Sequence, residues 1–402
     1  MASDRAASWP TVTYESRPWR RQQAPGIASR TAARQHTGPY RAAVLAPIAA
    51  AQLSLPSAVL AESEDAAAEL ARFDADLGTE IAPFASVLLR SESAASSEIE
   101  NLTASARAIA EAEIGTSNRR NSAQIVANVR AMEAAINLAD RIDADTIRQM
   151  HWALLHDVDE SAGHFRDQQV WIGGGTLGPH KAMFVPPHES RVDAAIDDLI
   201  RFADRDDLPT VAHAAIAHAQ FETIHPFTDG NGRTGRALLQ SMLRNKALTR
   251  TVTVPVSAGL LTDVRAYFEA LDAYRAGDPG AIVAQLARAS FDAIANGREL
   301  IEDLRQIQAG WADRIKARRD SATWRVADLL MRHPVVNAAL ITRELGIRGG
   351  NVSRYVEPLA AARVLIEFTD GRRNRAWRSV EVLTALDAFA ARAGRRAAPA
   401  ES

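Results

Sequence analysis

From about residue 63 onward, apolar side chains return every three or four positions along most of the chain, the spacing that lays them on one face of an α-helix. Ala66, Leu70, Phe73 and Leu77 open the pattern, which runs through Ala/Glu-rich text to Gly115, with Pro83 and Gly115 as breaks. Ile125, Val129, Met132 and Ile136 carry it on through 122–155. Helices are predicted again over 191–203, over 210–223, beyond a loop at 224–230 to about Asn245, over 258–275, and over the long amphipathic run 280–315.

Two stretches break the helical period. Between Gly163 and Pro187, short runs of β-branched and aromatic residues flank Gly173, Gly174 and Gly175, which reads as a β-hairpin. After residue 317, three short helices (324–332, 337–345 and 350–362) precede Leu365–Thr369, an Asp370-Gly371 turn and an arginine-rich return strand through Trp377. Three helices followed by a basic hairpin describe a winged helix-turn-helix, in which Pro358 interrupts the last helix. Residues 1–40 are rich in Arg, Ser, Pro and Gln without an apolar period, and are expected to form a loose arm. The plan is therefore mainly α: arm 1–40, helical domain 41–118, helical core 119–275 with its hairpin at 163–187, helical connector 276–316, winged helix 317–380 and tail 381–402. No internal repeat is visible.

Composition narrows the chemistry. Cysteine is absent from all 402 residues, which excludes disulfides, thiolate metal sites and cysteine nucleophiles, and agrees with a cytoplasmic setting. The formal charge of −2 conceals an asymmetry, because the segment from Arg314 to the end holds 17 Lys/Arg against 9 Asp/Glu. The stretch 42–61 is apolar enough to suggest a membrane span, but Pro47, Gln52, Ser54, Pro56 and Ser57 make it a poor one, so a soluble protein is expected.

The chemically informative text is Ile224-His-Pro-Phe-Thr-Asp-Gly-Asn-Gly-Arg-Thr-Gly-Arg236. Gly230 and Gly232, with Asn231 between them, let the backbone come close to a ligand where a loop becomes a helix. Free amides and the positive end of the helix dipole then face any anion placed there. Arg233 and Arg236 are three apart, hence on one helix face, and each can fork onto phosphate oxygens. Asp229 offers a hard oxygen for Mg²⁺ shared with phosphates, and the ordinary histidine pKa of about 6.5 suits His225 to proton abstraction near neutrality. Each part alone is ordinary: a loop histidine, a turn, a solvated pair of arginines. Within twelve residues, in this order, they make one site for a di- or triphosphate with a base beside it.

This segment resembles the Fic motif, H-P-F-x-D/E-G-N-G-R-x-x-R, without departure at any fixed position. The resemblance implies a mainly helical fold and transfer of AMP from ATP to a protein hydroxyl. It casts His225 as the base and Asp229 as the Mg²⁺ ligand. Gly230, Asn231, Gly232, Arg233, Thr234, Gly235 and Arg236 would form the nucleotide cradle, with Arg236 on the γ-phosphate. The hairpin 163–187 resembles the family's flap, with Ile172, Gly173 and Gly174 beside the nucleotide and an extended target segment paired by main-chain bonds. Tyr267 and Phe268 resemble the helix that lines the adenine pocket.

Ser96, Glu100 and Asn101 fit the family's inhibitory motif, S/T-x-x-x-E-G/N, within a helical N-terminal region that also resembles the family's. The resemblance implies that Glu100 pairs with Arg236 and denies it the γ-phosphate. In the winged helix, Asn351, Ser353 and Arg354, with Arg372, Arg373 and Arg375 behind them, are candidates for DNA contact, docking to protein being the alternative. Self-modification and a homodimer stay open as further partners. Three rival outcomes also remain: removal of AMP at the same site, transfer of another phosphate-containing group, and a DNA-binding regulator whose core only senses nucleotide. Phosphate transfer as in Doc proteins is disfavoured, since that branch has lysine where this chain has Gly232.

Overall fold

The computed structural model describes residues 9–19, 36–77, 81–117, 119–175, 177–369 and 375–395. In chain order its strands and α-helices are β1 (Thr13–Arg17), β2 (Tyr40–Val44), α1 (Ser57–Asp76), α2 (Ile81–Ile99), α3 (Ala106–Glu113), α4 (Arg120–Asn137), α5 (Ala144–Leu155), α6 (Val192–Ala203), α7 (Thr210–Ile224), α8 (Asn231–Asn245), α9 (Val256–Leu261), α10 (Val264–Arg275), α11 (Pro279–Arg314), α12 (Ala322–Arg332), β3 (Val335–Asn337), α13 (Ala338–Leu345), α14 (Val352–Ala361), β4 (Ile366–Glu367), β5 (Ala376–Arg378) and α15 (Val380–Arg395). The fold is mainly α, as the periodicity predicts. The helix expected over 258–275 is broken after Leu261, where the Thr262 hydroxyl turns back to donate to the Gly259 carbonyl at 2.7 Å and closes α9. The chain forms two compact units, residues 1–65, 134–246 and 265–286, and residues 66–133, 247–264 and 287–402. Four of the five boundaries fall inside α1, α4, α10 and α11, where no linker composition marks them, and the fifth follows α8 at Lys246.

In the first unit, α7 packs between α6 and α8, and α5 lies on α8. All residues of α7 from Val211 to Ile224 are buried, so its apolar side chains can point in every direction. Its polar side chains are then obliged to find partners inside. His213 Nε2 bonds the Phe202 carbonyl at 2.8 Å, His218 Nε2 the Tyr267 hydroxyl at 2.8 Å, and the Tyr274 hydroxyl donates to Gln220 at 2.8 Å. Phe202, Phe221 and Phe227 complete this core, each worth about 1.5–3 kcal/mol in transfer out of water.

The expected loose arm is ordered where it is described. β1 pairs antiparallel with β2, Thr13 opposite Val44 and Arg17 opposite Tyr40. Ala43 donates its amide to Val185 at 3.0 Å, so the pair is joined to the 163–187 segment. Trp9 packs edge-on to Phe202, and Trp19 meets Tyr40 and Trp171. Five residues of strand inside polar text were too few to show a period.

In the second unit, α2 packs on α9 and α12, and α15 on α9, α3 and α2. Glu92, fully buried in α2, accepts from both the amide and the hydroxyl of Ser257. Asp74 receives the amides of Arg250, Thr251 and Val252 and so fastens the chain entering α9. The region expected as a winged helix contains α12, β3, α13, α14, β4 and β5, with strand order β3-β5-β4. Its wing arginines Arg372 and Arg373 lie outside the described residues, and Arg375 is paired to Glu367. The expected tail departs from its reading: α15 occupies 380–395 and buries Val382, Leu383, Phe389 and Ala393.

Candidate active site

α7 ends at Ile224, and His225 caps it in the left-handed region (φ 52°, ψ 61°), its amide donating to Phe221 at 2.9 Å. A non-glycine residue there costs of order 1–3 kcal/mol and persists only when its surroundings fix it. Arg166 does the fixing. Its Nε donates to the His225 carbonyl at 2.8 Å, and Nη2 to Pro187 at 2.6 Å and to Ile224 at 3.4 Å. Nη1 reaches the Gln168 carbonyl at 3.0 Å, while the Arg166 amide donates to Pro226 at 2.8 Å. The two ends of the 163–187 segment therefore meet at the backbone of His225. Burial lowers the Arg166 pKa to about 10, which leaves it cationic.

Loss of water around the ring pushes the His225 pKa down to about 3, and the positive charges of Arg166 and Arg275 add to the effect. The imidazole is neutral at physiological pH. Its Nδ1 is buried without a hydrogen-bond partner among the described residues.

The loop after it is closed by Asn231, whose side chain accepts from the Phe227 amide and donates to the Phe227 carbonyl, both at 2.9 Å. Gly230 is left-handed (φ 72°), and a methyl group there would come within 2.9 Å of Leu154 and 3.1 Å of Leu155. Glycine is required on both counts. α8 starts at Asn231, so its first amides, which no helix can satisfy internally, open onto the loop. Asp229 accepts the Gly230 amide on Oδ1 at 2.7 Å, and Arg233 Nη2 lies 3.9 Å from the same oxygen. Arg233 and Arg236 are 3% and 1% exposed, which rules out the solvated-face reading.

Not every expected ligand faces this cradle. Thr234 is fully buried, and a methyl group on Gly235 would collide with the Glu222 carboxylate and reach within 2.9 Å of Phe221. Gly235 therefore serves the α7–α8 crossing. Tyr267 is likewise interior, bonded to His218, and Phe268, half exposed, is the ring of that pair left facing outward. Among its described residues the 163–187 hairpin is reduced to one antiparallel bridge, Ile172 with Phe184, where Gly173, Gly174 and Gly175 all take positive φ and Pro179–Lys181 forms a 3₁₀ turn. Arg275 lies over the Phe184 ring at 4.0 Å. Among the described residues no cluster of three His, Cys, Asp or Glu could hold a metal alone, and no helix is long and apolar enough to cross a membrane.

Sequence reasoning missed Arg166 and His151. Arg166 could have been noticed as a lone cation in glycine-rich text. His151, buried in α5, stacks parallel on Phe227 with ring centroids 3.7 Å apart, accepts the Gly163 amide on Nδ1 at 2.9 Å, and has Nε2 3.0 Å from the Asp229 carbonyl. Nothing in its local sequence marks it.

In the second unit, Ser96 is fully buried and Glu100 exposed at the end of α2. Asn101 follows with φ 60°, its amide donating to the Glu98 carbonyl at 2.8 Å. The left-handed helix stop explains why Gly or Asn suits that position.

Comparison with known proteins finds relatives over this part of the chain. Residues 141–243 match the model of the Fic/DOC family. The match takes in both the 163–187 segment and the stretch from His225 to Arg236. The chain is 32% identical over 155 residues to the protein adenylyltransferase fic-1 of Caenorhabditis elegans, covering 38% of this chain and 28% of that protein. It is 33% identical over 113 residues to the protein adenylyltransferase Fic of Drosophila melanogaster, covering 27% and 21%. The match thus spans about a quarter of the length of these relatives. Among solved structures, a Fic family protein from Desulfovibrio desulfuricans G20 aligns with a TM-score of 0.49 at 18% identity, over 82% of this chain and 97% of the other. Fic-1 of C. elegans (residues 134–508) aligns with a TM-score of 0.45 at 23% identity, over 61% and 74%.

Proposed function

We propose that residues 141–243 form a Fic/DOC domain that transfers AMP from ATP to a hydroxyl side chain of a target protein. The observation that carries this reading is the partly buried imidazole of His225, its backbone held by Arg166, set directly before a cradle of helix-start amides. In the reaction, His225 accepts the proton of the target hydroxyl. The hydroxyl oxygen bonds to the α-phosphorus while the bond from that phosphorus to the α,β-bridging oxygen breaks, and pyrophosphate leaves with the electron pair. A triphosphate seated in the cradle brings negative charge beside the ring and opposes Arg166 and Arg275, so the base strengthens once its substrate is bound. Amides 230–232 and the buried arginines hold phosphate oxygens, in keeping with chemistry that is mostly positioning and charge stabilisation.

Mg²⁺ suits the donor set as a shared ion. Asp229 supplies one exposed carboxylate (70% accessible), and a single carboxylate completed by phosphate oxygens and water is how Mg²⁺ is commonly held beside nucleotides. The bound ion would neutralise charge on the departing pyrophosphate. The segment around Ile172 acts as the flap that lays the target alongside, Ser96, Glu100 and Asn101 act as a brake on Arg236, and residues 317–380 act as a winged helix for docking. The names of the curated relatives support the transferase reading over a regulator that only senses nucleotide.

The direct test is incubation of the purified protein with ATP and Mg²⁺, followed by intact mass and labelled-ATP autoradiography. A gain of one adenylyl group that disappears in His225→Ala supports the reading. General-base removal is expected to cost about 10²–10⁴-fold, so label undiminished in His225→Ala would sink it.

A further inference from the structure

We infer that His151 is a positioning residue that sets the Asp229 carboxylate and the Gly230 amide for a Mg²⁺-bound triphosphate, and so serves the AMP-transfer reading from outside the motif. The inference rests on that reading for its purpose and on the following geometry for its substance.

A single ring contacts two separate pieces of chain, the 227–229 loop and Gly163. Its face lies on Phe227 with no tilt, ring centroids 3.7 Å apart. Nδ1 accepts the Gly163 amide at 2.9 Å, so that nitrogen carries no proton. The proton therefore sits on Nε2, which donates to the Asp229 carbonyl at 3.0 Å. One tautomer satisfies both bonds, and protonation or inversion of the ring would break one of them.

The consequence follows from what else restrains Asp229. Its carboxylate is mostly exposed and bonds the next amide in its own loop, Gly230, at 2.7 Å. Phe227 upstream is clasped by Asn231, and α8 begins immediately downstream. Between these fixed points the Asp229 peptide is tied to the helical scaffold through His151. Gly230 packs on the same helix: a methyl group there would meet Leu154, Leu155 and the Cδ2 edge of His151 at 3.6 Å. The Gly163 bond couples the ring to the start of the 163–187 segment as well. Rotation of the Asp229 peptide would swing the carboxylate and the Gly230 amide together, since the two are bonded to each other.

A histidine with both nitrogens satisfied is also a good core residue, and the experiment must separate the two roles. Amide side chains make this feasible because each mimics one nitrogen. His151→Gln can present an N–H near the Nε2 position and keep the Asp229 bond. His151→Asn can present an oxygen near the Nδ1 position and keep the Gly163 bond. His151→Phe keeps the stacking and loses both. Each variant would be measured for three properties: unfolding by urea, the Mg²⁺ midpoint for binding a non-hydrolysable ATP analogue by calorimetry, and ligand-free amide exchange at Gly230 and Asn231.

If His151 positions the site, Asn and Phe raise the Mg²⁺ midpoint by about 10–100-fold, the usual effect of removing a partner behind a metal ligand. They also speed exchange at Gly230, while Gln stays near wild type on both measures. Equal losses of stability across the three variants, with an unchanged midpoint and unchanged exchange, would overturn the inference and leave His151 a packing residue. Should Glu100→Gly, with the proposed brake removed, bind no nucleotide, the transferase reading fails, and exchange at Gly230 still decides whether His151 orders the loop.

Discussion

His225 owes its chemistry to its neighbours as much as to its ring. The left-handed backbone turns the side chain away from the direction α7 was taking, and Arg166 holds that turn by bonding the carbonyls around it. The glycines and Asn231 were legible in the text because their work is local: a positive φ at Gly230 and a clasp from residue 231 back to 227. Arg166 and His151 were not, because their partners lie about 60 and 80 residues away and only folding brings them together. Asn101 belongs with the legible residues, its motif position explained by a left-handed helix stop. The proposed brake is a residue-scale claim. Glu100 is one exposed side chain, so Glu100→Gly should leave the fold intact and raise incorporation of label from ATP. A coupling of ordinary size corresponds to a change of roughly 5–150-fold. An unchanged rate in Glu100→Gly, with the protein still folded, would remove the brake from the account.

At the scale of elements, the period of apolar residues was enough to place the helices but not to say which neighbours they touch. α7 shows the limit: buried on all sides, it has no polar face from which an orientation could be read. Gly235 shows the consequence. Its place inside the motif suggests a phosphate contact, yet it lies where α8 crosses α7, against Phe221 and Glu222. Gly235→Ala is therefore expected to act on packing, costing about 1–3 kcal/mol as overfilled interiors do. Urea unfolding should show the loss, while the folded fraction binds nucleotide with an affinity close to wild type. Undiminished stability with abolished nucleotide binding would return Gly235 to the cradle. The hairpin 163–187 was recognisable from its flanks, but three consecutive glycines with positive φ leave it one bridge, and its fastening by β2 could not be foreseen from a strand of five residues.

Over the whole molecule, buried and partly buried histidines recur in both compact units. Loss of water lowers the pKa of His151 and His218 to about 4 and of His225 to about 3 in the first unit, and of His333 to about 4 in the second, from an ordinary value of 6.5. His213 shifts in the same direction for the same reason. In the unfolded chain these rings regain water and titrate near 6.5, so between about pH 6.5 and 4 the unfolded state binds more protons than the folded one. Stability then rises with pH across that window: the contribution is complete above about 6.5 and drains away as the medium is acidified toward 4. Carboxylates released from ion pairs at lower pH act in the same sense. Urea midpoints measured at pH 7.5, 6, 5 and 4.5 should fall steadily, with the steepest loss below pH 6. In the second unit, His333→Gln should flatten part of that slope, since Arg90 Nη2, 3.0 Å from the ring, can find an amide oxygen instead. A midpoint independent of pH from 7.5 to 5 would show that these rings titrate near their ordinary value in the folded protein, and the lowered pKa of His225 would fall with the others.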